Sequence, residues 1–180
     1  MSISYTDFFA EARGALGYGA EADRAALARL RRLRPRADAP DRIEAAPLAE
    51  VWPARRLLLL LGLLTDDAGV EAGLPLERAA AALGALAELR APGPKHPAVA
   101  LRGVMTEDRF VRLLRMETPA ERLAAGRRLV RMLDEGCDPG RLGADLYAWG
   151  PRTRVRWAFY FHGASVPDAV TSDETTGDAA

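Results

Sequence analysis

Few residues in this chain are equipped for bond-making chemistry, while one residue type suited to holding anions is abundant. There are two histidines, His96 and His162, and one cysteine, Cys137. Neither histidine has a second His or a Cys at the spacing that metal ligands require. A lone cysteine forms no disulfide framework and no thiolate cluster within one chain, so Cys137 reads as a structural or solvent-facing thiol. Asp66 and Asp67 are adjacent, but no third carboxylate stands near them to build a Mg²⁺ site, and they read as a solvated helix end. There is no glycine-rich phosphate loop and no serine nucleophile elbow. The residues therefore point away from an enzyme, and towards a protein with no metal, cofactor or small-molecule substrate.

The abundant type is arginine. The 25 bases balance 25 acids, yet Lys95 is the only lysine, so all the other bases are arginine. A guanidinium presents a planar fork of donors that matches phosphate. An arginine excess also follows from a GC-rich genome, which the wealth of Ala, Gly, Leu and Pro suggests, so placement matters more than number. The charge is uneven along the chain. After Val166 come Asp168, Asp173, Glu174 and Asp178 with no base, which leaves the body with 25 bases against 21 acids. Such an acidic tail could shield a basic face in the free protein.

Proline and glycine punctuate the chain into helices. The first is expected from Thr6 to Leu16 and the second from Glu21 to Arg34, where Pro35 stops it. Arg36 to Val51 is a connector. Pro53 opens a third helix carrying the leucine run Leu57 to Leu64, apolar on all sides and therefore expected at the centre of a core. That run has eight residues, short of the roughly 20 needed to span a bilayer. Pro75 opens a fourth helix that ends near Arg90. Further helices follow over Thr106–Met116, Thr118–Glu135, Asp138–Trp149 and Pro151–His162. Thr118 with Glu121 has the spacing of a capping box, with Pro119 at the first helical position. The expected fold is all-α, a bundle of seven or eight helices. The proline-rich segment Ala91–Pro97 would divide two small lobes: residues 1–95 as an N-terminal helical lobe with a basic helix, and 96–163 as a C-terminal bundle. Residues 164–180 form an acidic tail of disordered composition. The start of the chain has no signal-peptide pattern, and a cytoplasmic location is expected.

On a helical wheel the second helix places Ala26, Leu27, Leu30 and Leu33 on one side and Arg24, Arg29, Arg31 and Arg32 on the other. From Arg24 onward no acid appears before Asp38. Like charges crowded on a helix repel one another, so this face implies an anionic partner. The Thr118 helix opposes Arg127, Arg128 and Arg131 to an apolar side, with Asp134 and Glu135 compensating part of the charge. The last helix aligns Arg152, Arg156 and Tyr160, while Trp157, Phe159 and Phe161 read as core. Arg109, Arg112 and Arg115 recur every three residues, but with Glu107 and Asp108 beside them they read as a solvated face. The chain contains no Asn or Gln. That argues against amide readout of bases, as in a helix-turn-helix regulator. A helical adaptor for an acidic protein partner remains open as the alternative to nucleic acid.

Several of these segments carry a family likeness in order and spacing. They are Asp108-Arg109-Phe110 with Arg112-Leu113-Leu114, then Arg127-Arg128-Leu129-Val130-Arg131-Met132-Leu133, then Leu142, Asp145-Leu146 and Trp149, and finally Val155-Arg156-Trp157-Ala158-Phe159-Tyr160. With the basic helix Asp23 to Arg32, they resemble the CasB family, the small helical subunit of the type I-E CRISPR surveillance complex Cascade. The likeness covers Thr106 to Tyr160 and Glu21 to Arg34. Phe8-Phe9 stands where the family often has a tryptophan-rich first helix, and residues 36–51 and 64–75 match no family pattern. The resemblance implies a non-catalytic subunit of an antiviral complex, present as a pair beside the other Cascade subunits, the guide RNA and the target DNA. It implies backbone contacts that stabilise the R-loop and its displaced DNA strand, with no membrane partner. The residues expected to bind nucleic acid are Arg24, Arg29, Arg31 and Arg32, then Arg127, Arg128, Arg131, Arg152 and Arg156.

Overall fold

A computed structural model describes residues 4–60 and 74–167. Over these residues the fold is all-α, with nine α-helices, two short 3₁₀ turns and no strand beyond isolated bridges. The helices are α1 (Tyr5–Ala15), α2 (Arg24–Arg31), α3 (Trp52–Leu60), α4 (Leu74–Leu86), α5 (Pro97–Leu101), α6 (Glu107–Leu114), α7 (Pro119–Met132), α8 (Pro139–Tyr147) and α9 (Pro151–His162). None of them is long and apolar enough to cross a membrane.

Most starts follow from local chemistry. Thr118 and Glu121 form the reciprocal capping box of α7, and Pro119 fills the first position, where no backbone donor is needed. The Asp138 carboxylate accepts from the Arg141 amide at 3.1 Å and opens α8. α9 starts at Pro151 and stops at Gly163, whose φ of 77° suits a residue without a Cβ. α2 begins at Arg24, later than the composition suggests, because the Asp23 carboxylate accepts from the Ala26 amide at 2.9 Å and caps it there. α5 is the helix beyond the expected count. It lies at the end of the proline-rich segment, where Pro97 takes the first position and His96 Nδ1 accepts from the Ala98 amide at 3.1 Å.

Among the described side chains, the helix enclosed on every side is α4. Ala79, Ala80, Ala81, Ala82, Leu83 and Ala85 are all at most 1% exposed. Small residues let neighbours approach closely. A Cβ on Gly84 would stand 2.6 Å from Leu123 Cδ1, and one on Gly126 would stand 2.7 Å from Ala85 Cβ, so α4 and α7 meet glycine to side chain in both directions. α8 packs on α4 as well, and α1 packs on α8. Helices on either side of Ala91–Pro97 thus share one hydrophobic core. The leucine run Leu57–Leu64, Asp66-Asp67 and the acids from Asp168 on lie outside the described side chains. Cys137 is fully buried, and burial first, then the Asp138 carboxylate, pushes its thiol up to about 12. It is an inert packing residue.

The C-terminal half is pinned by one buried carboxylate. Asp145 Oδ2 accepts from Trp157 Nε1 at 2.6 Å and lies 3.1 Å from His96 Nε2, while Arg156 donates to Oδ1. Because His96 Nδ1 accepts a backbone proton, its own proton sits on Nε2 and points at Asp145. The loop before α5, the last turn of α8 and the middle of α9 therefore meet at a single carboxylate. Replacing Asp145 by Ala strands a part-buried guanidinium and a buried indole N–H. Urea unfolding of Asp145→Ala is expected to show a destabilisation of about 3–5 kcal/mol, whereas one under about 1 kcal/mol would mean that the network contributes no more than an exposed pair does.

Candidate nucleic-acid interface

The arginines divide by what their donors touch. One group holds the ends of other helices. Arg13, 2% exposed, donates from Nε to Leu86 O at 2.9 Å and from Nη2 to Leu89 O at 2.7 Å, at the end of α4. Its guanidinium also lies 3.8 Å from the Tyr18 ring centre. Arg122 donates to Tyr147 O at 3.0 Å and Trp149 O at 3.1 Å, at the end of α8. Burial, and then the charges of Arg78 and Arg154, draw it down to about 10, so it stays charged at neutral pH. Arg102 donates to Phe161 O at 3.0 Å, at the end of α9. The last turn of a helix exposes carbonyls with no partner inside the helix, and a cation there also meets the negative end of its dipole.

Three of the arginines expected at an interface are engaged in internal contacts instead. Arg127 donates to Leu30 O at 3.0 Å, Arg31 O at 2.8 Å and Leu33 O at 3.0 Å, closing the end of α2. Burial lowers its guanidinium from the usual value. Arg31 donates from Nε to Ala87 O at 2.9 Å. Arg156 is the partner of Asp145. Two others meet acids at the surface. Arg29 lies 3.6 Å from Glu50, a pair exposed enough to contribute little, and Arg131 lies 3.1 Å from Glu88, whose side chain is mostly buried. Glu50 comes from another part of the chain, so the acid-free face of α2 in sequence is partly compensated in space. Arg152 is exposed in the first turn of α9.

Arg24, Arg32 and Arg128 remain. All three are exposed and make no hydrogen bond or ion pair with described residues. Arg24 is also the first residue of α2, where the helix dipole disfavours a cation. Arg128 is not isolated. With Arg109, Arg112 and Arg115 it lines a groove of about 510 Å³ between α6 and α7, floored by Leu113, Met116, Leu129 and Met132. Arg109 and Arg112 on α6, and Arg115 at its C-cap, are likewise exposed and without a partner among the described residues. The groove's acid, Glu121, is held by the capping box. Its Oε2 accepts from the Glu117 and Thr118 amides at 2.8 and 3.0 Å, and these bonds lower the carboxyl from its usual value.

Arg109, Arg112 and Arg115 are exposed, as a solvated face requires, and they also line this groove. Glu107 and Asp108 stand next to them in sequence but occupy the first turn of the helix, where acids complement the dipole. The signal was present in the recurrence every three residues. What the spacing could not show was Arg128 arriving opposite them on α7. The assembled feature is a channel with cationic walls and an apolar floor, suited to a phosphate chain whose bases need not be read.

In comparisons with known proteins, the family described as CRISPR-associated protein Cse2 matches residues 26–162, well over half of the chain. No curated protein and no solved structure matches it.

Arg127 and Arg128 are neighbours in sequence with opposite employments. Arg127→Ala removes a charged donor from the Leu30, Arg31 and Leu33 carbonyls at the end of α2 and is expected to cost about 1.5–3 kcal/mol. Arg128→Ala is expected to stay within about 0.5 kcal/mol of the parent. Thermal or urea unfolding of the two single variants checks this, and equal destabilisation would refute the division.

Proposed function

The chain belongs to the CRISPR-associated Cse2 family, the small subunit of the type I-E Cascade complex, and from that premise we propose that it binds nucleic-acid backbone without reading sequence and thereby stabilises an R-loop. The observation that carries this is the set of exposed guanidiniums without an internal partner among the described residues, Arg24 and Arg32 on α2 with Arg109, Arg112, Arg115 and Arg128 around the α6–α7 groove. A folded chain gains nothing from crowding like charges on its surface unless an anion arrives to separate them.

Non-specific contact fits the task. In RNA-guided recognition the guide reads the target by base pairing, and exchange of a DNA duplex for an RNA–DNA heteroduplex is nearly balanced in free energy. A few phosphate contacts therefore suffice to tip it. Arginine supplies them without regard to base, and the lack of Asn and Gln removes the usual bidentate readers of adenine. Cytoplasmic action without catalysis, in company with other Cascade subunits, a second copy, guide RNA, target DNA and the displaced strand, belongs to the same reading.

Salt dependence gives the test. Binding of single-stranded DNA is expected to weaken linearly on a logarithmic salt scale. Each phosphate that a guanidinium neutralises adds about 0.7 to the slope for a single strand. The triple variant Arg109→Ala, Arg112→Ala, Arg115→Ala is therefore expected to reduce the slope by roughly 2. Arg24→Ala with Arg32→Ala is expected to reduce it by about 1.4 in the same way. An unchanged slope would remove those residues from the interface. Failure to retard single-stranded or duplex DNA even at low salt would point instead to an acidic protein partner.

A further inference from the structure

One large aromatic side chain stands apart from the core. Trp52 is 66% exposed, whereas Trp149 is 5% and Trp157 0% exposed. Trp52 is the first residue of α3, and the backbone beneath it is firmly seated. Leu48, Val51 and Ala54, which flank it in sequence, are at most 1% exposed. The indole is therefore held outward by a packed turn. Burying it would have removed a large apolar area from water, so its position needs another reason.

Its surroundings are cationic. Arg55 and Arg56 follow at three and four residues, which places them beside Trp52 on the same side of the helix, one turn along. Neither makes a hydrogen bond or ion pair with described residues. The 3₁₀ turn Ala46–Glu50 packs against both α2 and α3, and the 3.6 Å pair of Glu50 with Arg29 brings the edge of α2 to this place. Arg32, also without a partner among the described residues, lies three residues beyond Arg29, at the C-cap of α2. The patch is thus an exposed indole with guanidiniums on two sides that have no partner among the described residues, and the nearby Glu50 is already paired.

We infer that Trp52 is a stacking platform for an unpaired base of a single nucleic-acid strand, with Arg55 and Arg56 holding the flanking phosphates. This rests on the backbone-binding reading above and specifies it. A base inside a duplex already has both faces covered and offers an indole only its edge. A base in a single strand has a free face, and single-strand binders combine a basic track with such aromatic rings. The platform tolerates any base, because every base has a π-face. It therefore selects strandedness and leaves sequence unread.

Fluorescence tests this directly, because the other two tryptophans are buried. The intact protein is titrated with thymidine and uridine oligonucleotides of about 12 nucleotides, within the span such sites cover, and with an abasic strand of equal length. The base-bearing strands are expected to quench the solvent-exposed emission of Trp52, DNA and RNA arms showing which backbone is preferred. The abasic strand is expected to bind through its phosphates without quenching. Trp52→Ala is expected to weaken the base-bearing complexes roughly 10-fold and leave the abasic complex unchanged, while Trp52→Phe keeps most of the affinity. If base-bearing strands bind Trp52→Ala as tightly as the parent, and do not quench the parent, the platform is refuted and the phosphate reading stands. If no strand binds at all, the backbone-binding reading falls and the platform falls with it.

Discussion

A helix that ends inside a packed bundle directs its last carbonyls at neighbouring side chains instead of water, and in this bundle arginines from distant segments meet them. Arg127 closes α2, Arg13 and Arg31 close the end of α4, Arg122 closes α8, and Arg102 closes α9. Each carbonyl left without a donor would cost about 1–3 kcal/mol, and each charged donor also meets the negative end of a dipole. The bonds join elements that the chain does not place side by side. Arg127 reaches α2 across 97 residues, and Arg13 reaches the end of α4 across 76. Short helices, tight turns and an alanine-rich centre are compatible with one another because these guanidiniums settle the helix ends.

This constraint also explains how much of the molecule was legible in the sequence. Helix starts were legible, because a cap is a contact over three residues: Thr118 with Glu121, and Asp138 with Arg141, can be found by spacing alone. The all-α class followed from punctuation and the absence of strand alternation. Helix ends were less legible, because their partners lie dozens of residues away. For the same reason the wheel put Arg31 and Arg127 on outward faces, although both lie at flanks from which a long side chain reaches a neighbouring helix end. The enclosure of α4 was hidden by the size of its residues. Leucine marks hydrophobicity, but a helix enclosed on all sides needs side chains small enough for its neighbours to close in, and α4 uses alanine and Gly84. α5 was hidden by its prolines, one of which is its first residue.

The candidate interface was half legible for a related reason. Arg24, Arg32 and Arg128 could be named from the wheel. The groove could not, since it exists only where α6 meets α7 and joins Arg109, Arg112 and Arg115 to Arg128. The neutral formal charge of the chain is consistent with a basic surface at these places. Acids are drawn into caps and pairs, as Glu121, Asp138, Asp145 and Glu77 are, while a subset of arginines is left facing outward.

Two populations of arginine thus stand out beside those paired with acids: one holds helix ends, and one is exposed without a partner among the described residues. Arginine-specific modification with phenylglyoxal, read residue by residue by mass spectrometry with and without a single-stranded oligonucleotide, tests this division most directly. Arg13, Arg122 and Arg127 should resist modification in both conditions. Arg24, Arg32, Arg109, Arg112, Arg115 and Arg128 should react readily in the free protein and be protected by the oligonucleotide. Arg127 reacting as fast as Arg128, or no protection of the second group at an oligonucleotide concentration that saturates binding, would contradict it.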